Sequence, residues 1–256
     1  MFTELIKNTV YINLASRPDR CSHIKQELSK LGIISPTRFE AIKNKMGQVG
    51  CSMSHIKCLE MSKQENWEHV FICEDDTVFT NPELLMERLS KAQEIPVWDV
   101  LIVGGNNQKP FIQTVHTGFI QVHNCQTTTA YIVKKAYYDI LIQNIRESLE
   151  KLLRNPQQKH LFSIDIYWKK LQIKDTWLMA IPATVSQLDD FSDIEGQPVS
   201  YNHLMLDYEK NWLDTHPTLK MPIPNPVVQP SPVPSNQLNQ PDLVLSSGWR
   251  KGFLRR

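Results

Sequence analysis

No stretch of the 256-residue chain reaches the roughly 18 consecutive apolar residues that a membrane-spanning helix requires, so no transmembrane segment is expected. No secretory leader is expected either. Met1 to Lys7 is short and charged, and the apolar run Val10–Leu14 has the length of a strand. An excess of one charge sign is missing: 28 Lys and Arg stand against 27 Asp and Glu, a net +1. No global field therefore favours nucleic acid as a partner. Cysteine pairs at close spacing are absent too. Cys21, Cys51, Cys58, Cys73 and Cys125 are scattered and odd in number. This reads as reduced thiols in a cytoplasmic setting, with zinc ligation not expected in the absence of a clustered ligand set. No internal repeat is seen.

What the chain does have is a hydrophobic fraction of 41%, enough to build one large α/β domain or two small ones. Strand-like runs at Val10–Leu14, Arg38–Ile42, Glu68–Cys73 and Asp99–Val103 alternate with helical patterns. The helices are expected over Pro18–Leu31, Ser52–Glu65 and from Asn81–Pro82 to about Glu94, the last opened by an N-cap and a first-turn proline. Further on, Thr127–Val133 and Thr176–Ile181 read as strands, and Lys134–Leu153 and Ser163–Leu171 as helices. Strands alternating with helices indicate an α/β sheet. From Pro217 the composition changes: half of the 16 prolines lie between Pro217 and Pro241. Residues 1–215 are expected to form the folded domain and 216–256 an extended, Pro-rich tail with a basic end.

Chemistry concentrates at Val70–Phe79. An apolar run ends in Glu74, Asp75 and Asp76, after which strand propensity resumes at Thr77. Carboxylates at the end of a buried strand need compensation, and hard oxygens of this kind suit Mg²⁺ or Mn²⁺. The alternative is an exposed acidic turn. Just beyond the first strand sit Asn13, Arg17 and Arg20, where an arginine can clamp phosphate oxygens or pair with Asp19 on the surface. In Gly50-Cys-Ser-Met-Ser-His55, Gly50 permits close backbone approach. Ser52, Ser54 and His55 are placed at a helix start, where free N–H groups favour anions. Asp165 is flanked by Ile164 and Ile166, and partial burial would suit it to general-base work; otherwise it is a helix-start acid facing the dipole. Pro182–Gly196 reads as an irregular polar loop carrying Gln187, Ser192 and Asp193.

Together these segments resemble glycosyltransferase family 25, which includes bacterial lipopolysaccharide glycosyltransferases and procollagen galactosyltransferases. The resemblance rests on Tyr11-Ile-Asn-Leu14 with Arg17-Pro-Asp-Arg20, Phe39-Glu-Ala-Ile42, Gly50-Cys-Ser-Met-Ser-His55 and Phe71-Ile-Cys-Glu-Asp-Asp76. Weaker matches are Trp98-Asp99, Thr129-Ala-Tyr-Ile-Val133, Ile164-Asp165 and Ser192-Asp193, so the likeness spans about residues 8–200. It implies a GT-A type fold, a mixed, mainly parallel sheet flanked by helices. It also implies inverting transfer of galactose or glucose from a UDP-sugar to a hydroxyl of a glycan or protein, assisted by Mn²⁺ or Mg²⁺. In that frame Glu74 and Asp76 hold the metal, with His203 a candidate third ligand. Asp165 is the favoured base and Asp193 the second choice. Asn13, Arg17, Arg20, Ser54, His55, Asp75 and Gln187 contact the nucleotide-sugar. The luminal collagen-modifying members carry entry and retention signals, whereas this chain ends in Phe-Leu-Arg-Arg, which favours a cytoplasmic role. The competing readings are a metal-dependent phosphohydrolase or nucleotidyltransferase, and a binding module without turnover.

Overall fold

The structure, a computed structural model, describes residues 3–212. The Pro-rich tail expected at 216–256 lies outside the described residues. The first half runs β1 (Thr9–Asn13), α1 (Pro18–Lys30), β2 (Thr37–Glu40), α2 (Gly47–Gln64), β3 (His69–Glu74), β4 (Thr77–Phe79) and α3 (Pro82–Glu94). It continues through β5 (Val100–Asn107), β6 (Phe111–Gln113), β7 (Phe119–Val122), β8 (Cys125–Lys134) and α4 (Tyr138–Arg154). Three short helices follow, α5 (Lys159–Phe162), α6 (Ile164–Tyr167) and α7 (Lys169–Lys174). The described part ends with β9 (Trp177–Ala180), β10 (Val185–Gln187), β11 (Asp190–Ser192), β12 (Gln197–Val199) and α8 (Asn202–Leu206).

One eight-stranded sheet, in the order β2-β1-β3-β8-β5-β9-β7-β6, organises the domain. β2, β1, β3, β5, β9 and β6 run one way, and β8 and β7 the other. The sheet is therefore mixed and mainly parallel in strand direction, as expected. Its central strands are buried on both faces, which explains their near-continuous apolar sequences. Alternate residues face opposite layers. Val10, Ile12, Val70 and Ile72 join α2 and α4 in one core, while Tyr11, Phe71 and Cys73 join α1 and α3 in the other. Helix α4 buries Tyr138, Leu141, Ile142, Ile145 and Leu152, a stripe at helical spacing. Asn81 caps α3 as expected, its side chain accepting from Leu84 N–H at 3.1 Å. Among the described residues no helix is long and apolar enough to cross a membrane.

Several expectations are corrected. Helix α2 begins at Gly47, not Ser52. Its first residue follows Met46, whose side chain makes no cap, so no Ser, Thr, Asp or Asn marks the start. The helix expected over Ser163–Leu171 is broken into α6 and α7, with Trp168 wedged between them and fully buried. The Pro182–Gly196 segment is not an irregular loop. It holds β10, which pairs antiparallel with β4, and β11, which forms a two-stranded ribbon with β12.

Candidate active site

Strand β3 ends at Glu74 because the chain turns sharply there. Thr77 Oγ1 lies 2.8 Å from the Glu74 carbonyl and 3.0 Å from that of Thr129, tying the turn to β8. The three acids thus emerge at the carboxyl end of a central strand, where open α/β sheets bind ligands. They line a cleft of about 610 Å³. Arg20, Ser54, His55, Asp165, Gln187 and Asp193 line it too.

The acids differ in their surroundings. Asp75 lines the cleft but is buried. It accepts from Asn13 Nδ2 at 2.7 Å and Arg20 Nη1 at 3.2 Å. Burial still pushes its pKa up against these two partners. Glu74 accepts from Thr128 Oγ1 at 2.6 Å, and its Oε1 lies 3.4 Å from His55 Nε2. Burial opposes its charge, but His55, Thr128 and Arg20 outweigh burial and hold the pKa down. Asp76 has less help. Burial and the nearby Glu74 charge push it up to about 7, although Arg20 Nη1 reaches it at 3.1 Å. The Gln187 amide Nε2 sits 3.4 Å from both Glu74 Oε2 and Asp76 Oδ1. Two carboxylate oxygens therefore converge on one point, held there only by long contacts. This donor set fits a hard divalent cation, and Gln187 could turn its oxygen to the same point.

Asp165 stands on α6 across the cleft. Its Oδ2 accepts from the Thr127 backbone N–H at 3.0 Å, and burial pushes its pKa up against that bond and Lys169. Trp168 anchors α6 by donating Nε1–H to the Cys125 carbonyl at 2.9 Å and packing edge-on against Tyr131 and Trp177. Thr127 has φ +70, a left-handed conformation that is an outlier for a β-branched residue. It lies where β8 bulges against β5, and that irregularity frees the N–H which Asp165 uses.

Asp193, the second candidate base, is engaged elsewhere. Arg17 Nη1 holds it at 2.8 Å, and Arg17 Nη2 also pairs with Asp190 and Asp19. Arg20 reaches Asp190 at 3.1 Å and the Phe191 carbonyl at 3.1 Å. The two arginines thus clamp the β11–β12 ribbon onto α1. Arg17 does not line the cleft, and its guanidinium is committed to acids rather than open to phosphate. Asn13 is 1% exposed and fully used, donating to Asp75 and the Arg17 carbonyl and accepting from Arg38. It positions Asp75 instead of meeting a ligand. Exposed His203 is not on the cleft wall either.

Because α2 starts at Gly47, Ser54 and His55 lie well inside the helix and not at its free N–H groups. Ser54 Oγ donates to the Gly50 carbonyl at 2.8 Å and accepts from Ile42 N–H at 2.9 Å. A Cβ on Gly50 would fall 2.3 Å from the Ile42 carbonyl, so the close backbone approach expected at this glycine is real. The uncapped start, Gly47 and Gln48, borders the cleft instead. Two residues escaped the sequence reading. Thr128 fixes Glu74, and Asn106 lines the cleft at 5% exposure with an Oδ1 that has no partner among the described residues. Thr128 lies within a threonine run that reads only as strand, and Asn106 within a Gly-Gly-Asn-Asn string that reads as strand end.

An α/β sheet with an acid-lined cleft at its strand ends defines a broad class of ligand-binding and transferase architectures. Within it, residues 45–145 match glycosyltransferase family 25 (LPS biosynthesis protein), as the sequence resemblance implied. The matched segment carries Gly50, Cys51, His55 and the Glu74–Asp76 turn. It leaves out Arg17, Arg20, Asp165 and Gln187. No curated protein matches the chain. Among solved structures, a mannose-1-phosphate geranyltransferase from Thermus thermophilus is similar at 9% identity and TM-score 0.40, covering 67% of this chain and 58% of that one. The present chain therefore spans less than two thirds of that protein. A glycosyltransferase involved in glycosylation of the major capsid of PBCV-1 gives 9% and 0.39, covering 68% and 92%. A197 from STIV gives 15% and 0.38, covering 70% and 83%. Likeness at this level carries no argument about activity.

Proposed function

We propose that the protein is an inverting glycosyltransferase with a GT-A type donor site. It moves a hexose, galactose or glucose, from a UDP-sugar to a hydroxyl of a glycan or protein. The observation that carries this reading is the presence in one cleft of two converging carboxylates, Glu74 and Asp76, and a separate acid, Asp165, on its own helix. Glu74 and Asp76 would hold Mn²⁺ or Mg²⁺, which when bound neutralises charge developing on the departing diphosphate. Asp165 takes the proton of the acceptor hydroxyl as that oxygen attacks the anomeric carbon from the side opposite the diphosphate. Its anchored helix fixes the direction of approach. Arg20, the arginine on the cleft wall, supplies positive charge beside the donor while keeping Asp75 and the ribbon in place. Asn106 offers a carbonyl oxygen to a sugar hydroxyl.

The test is a thermal-shift panel of UDP-, GDP-, CMP- and dTDP-sugars, with and without Mn²⁺. Selective binding at about 100 times Kd stabilises the fold by about 2.7 kcal/mol. UDP-sugars with Mn²⁺ are expected to give that shift. Equal response to all four nucleotides, or none to UDP, overturns the donor assignment. Cleavage of UDP-hexose to UMP and hexose 1-phosphate, with no acceptor required, would instead favour a phosphohydrolase.

A further inference from the structure

The scattered cysteines gave no reason to expect a thiolate metal site, yet the fold gathers one. Cys51 and His55 lie one turn apart on α2, and both face Glu74 at the end of β3. Cys51 Sγ, His55 Nε2 and one Glu74 oxygen all lie within 4.8 Å of one another. His55 Nε2 is 3.4 Å, and Cys51 Sγ 3.9 Å, from Glu74 Oε1. These contacts are long for hydrogen bonds. They are close to the edges of a tetrahedron around zinc, where ligand bonds of the usual lengths put neighbouring S, N and O atoms about 3.4–3.6 Å apart. From the structure we infer that Cys51, His55 and Glu74 form a binding site for a borderline-soft divalent cation of the zinc class, adjoining the hard-oxygen site on Glu74 and Asp76 and sharing Glu74 with it.

Three observations support it beyond the cluster itself. The Tyr131 hydroxyl lies 2.7 Å from His55 Nδ1, so when a cation takes Nε2 in place of its proton, the Nδ1–H donates to Tyr131. Such an outer partner is the usual support of a histidine ligand. Thr128 Oγ1 fixes Glu74 at 2.6 Å in the same way. The surroundings also favour a cation. Glu74, Asp75, Asp76 and Asp165 line the cleft, and of these only Asp75 and Asp76 pair with Arg20. All three ligand residues border the cleft, which leaves the fourth position open to a small molecule, as in zinc sites that keep a water. A thiol, an imidazole and a carboxylate select zinc or cobalt over manganese or magnesium. Coordination releases the Cys51 thiol proton to solvent. Glu74 presents Oε1 to this site and Oε2 to Asp76 and Gln187, so the two sites share one carboxylate through different oxygens.

The full chain, stripped of metal and reduced, is titrated with Co²⁺ under anaerobic conditions. A thiolate-to-cobalt charge-transfer band in the near ultraviolet should saturate at one ion per chain. It should vanish in Cys51→Ser, with native far-ultraviolet circular dichroism, and persist in Asp76→Asn. The unmodified chain provides a second readout independent of any variant. Zn²⁺ at ten times Kd should slow alkylation of Cys51 about tenfold and leave Cys21, outside the cleft, unaffected. A missing band, a band that survives Cys51→Ser, or alkylation of Cys51 indifferent to Zn²⁺ overturns the site and shows a hydrogen-bonded trio only. Each of those results leaves UDP-sugar binding untouched, so this inference and the transferase reading fail independently.

Discussion

Two groups of acids, one at the end of β3 and one on the neighbouring ribbon, are neutralised in different ways. On the ribbon, Asp190 and Asp193 are met by Arg17, and Arg20 reaches Asp190 as well. Arg17 holds Asp190 down to about 2. At the end of β3, Asp75 and Asp76 share one buried arginine, Arg20, while Glu74 is met by His55 and Thr128, and Asp76 rises to about 7. The ribbon acids therefore act as fasteners. Of the β3 acids, Asp76 is the one whose charge its partners compensate least, and a group with a strongly displaced pKa in a cleft is a candidate for function. The contrast favours Asp165 over Asp193 in the proposed base role, because the Asp193 carboxylate is taken up by Arg17.

The largest expected effect separates those bases. Asp165→Asn should lower transfer by about 10²–10⁴-fold while leaving UDP-sugar affinity nearly unchanged. Asp193→Asn should cost far less, because its carboxylate is a clamp. Steady-state rates beside calorimetric donor affinities measure both, and the reverse ranking would assign the base to the ribbon.

Next in size is Asp76→Asn, which should abolish Mn²⁺-dependent UDP binding in titration calorimetry. The same variant should melt higher than the parent at pH 8 without metal, and the gain should disappear near pH 4. The sign follows from the raised pKa. Between about pH 4 and 7 the folded state holds a proton that the unfolded state has lost, so stability falls as pH rises through that window. Asp190→Asn should behave oppositely. Its folded pKa is depressed, so the wild-type contribution is present above about pH 4 and is lost as pH falls toward 2. Melting curves across pH would show two trends of opposite slope. Parallel trends would mean that the two acid groups are not differently neutralised.

The smallest effect belongs to Arg17→Ala. Exposed ion pairs are worth roughly 1 kcal/mol or less, so global stability should drop only slightly and less at high salt. Amide exchange over residues 190–199 should nevertheless quicken markedly. Unchanged exchange there would show that Arg20 alone holds the ribbon.

The sheet and the acid turn were legible because their signals are local. An apolar run broken by three carboxylates, Asn81 before Pro82, and Gly50 where two backbones cross each point to one structure. What stayed hidden depends on distance in sequence. Arg17 meets Asp190 across 173 positions, and nothing near either residue announces the pair. The uncapped start of α2 displaced its predicted beginning by five residues and put His55 at a helix start that it does not occupy. Three-residue strands such as β10 and β11 carry too few side chains to show alternation, and so their segment read as loop. Cys51, His55 and Glu74 became a cluster only when α2 was laid against β3.

Strand β8 has a mechanical consequence. Along residues 127–131 it presents an N–H to Asp165, a hydroxyl to Glu74, a carbonyl to the Thr77 side chain that pins the acid turn, and the Tyr131 hydroxyl to His55. One short length of backbone is thus the common mount for the groups on both sides of the cleft. A displacement of that strand would therefore reach all four contacts at once, and a backbone change within residues 127–131 should disturb Asp165, Glu74, the acid turn and His55 together.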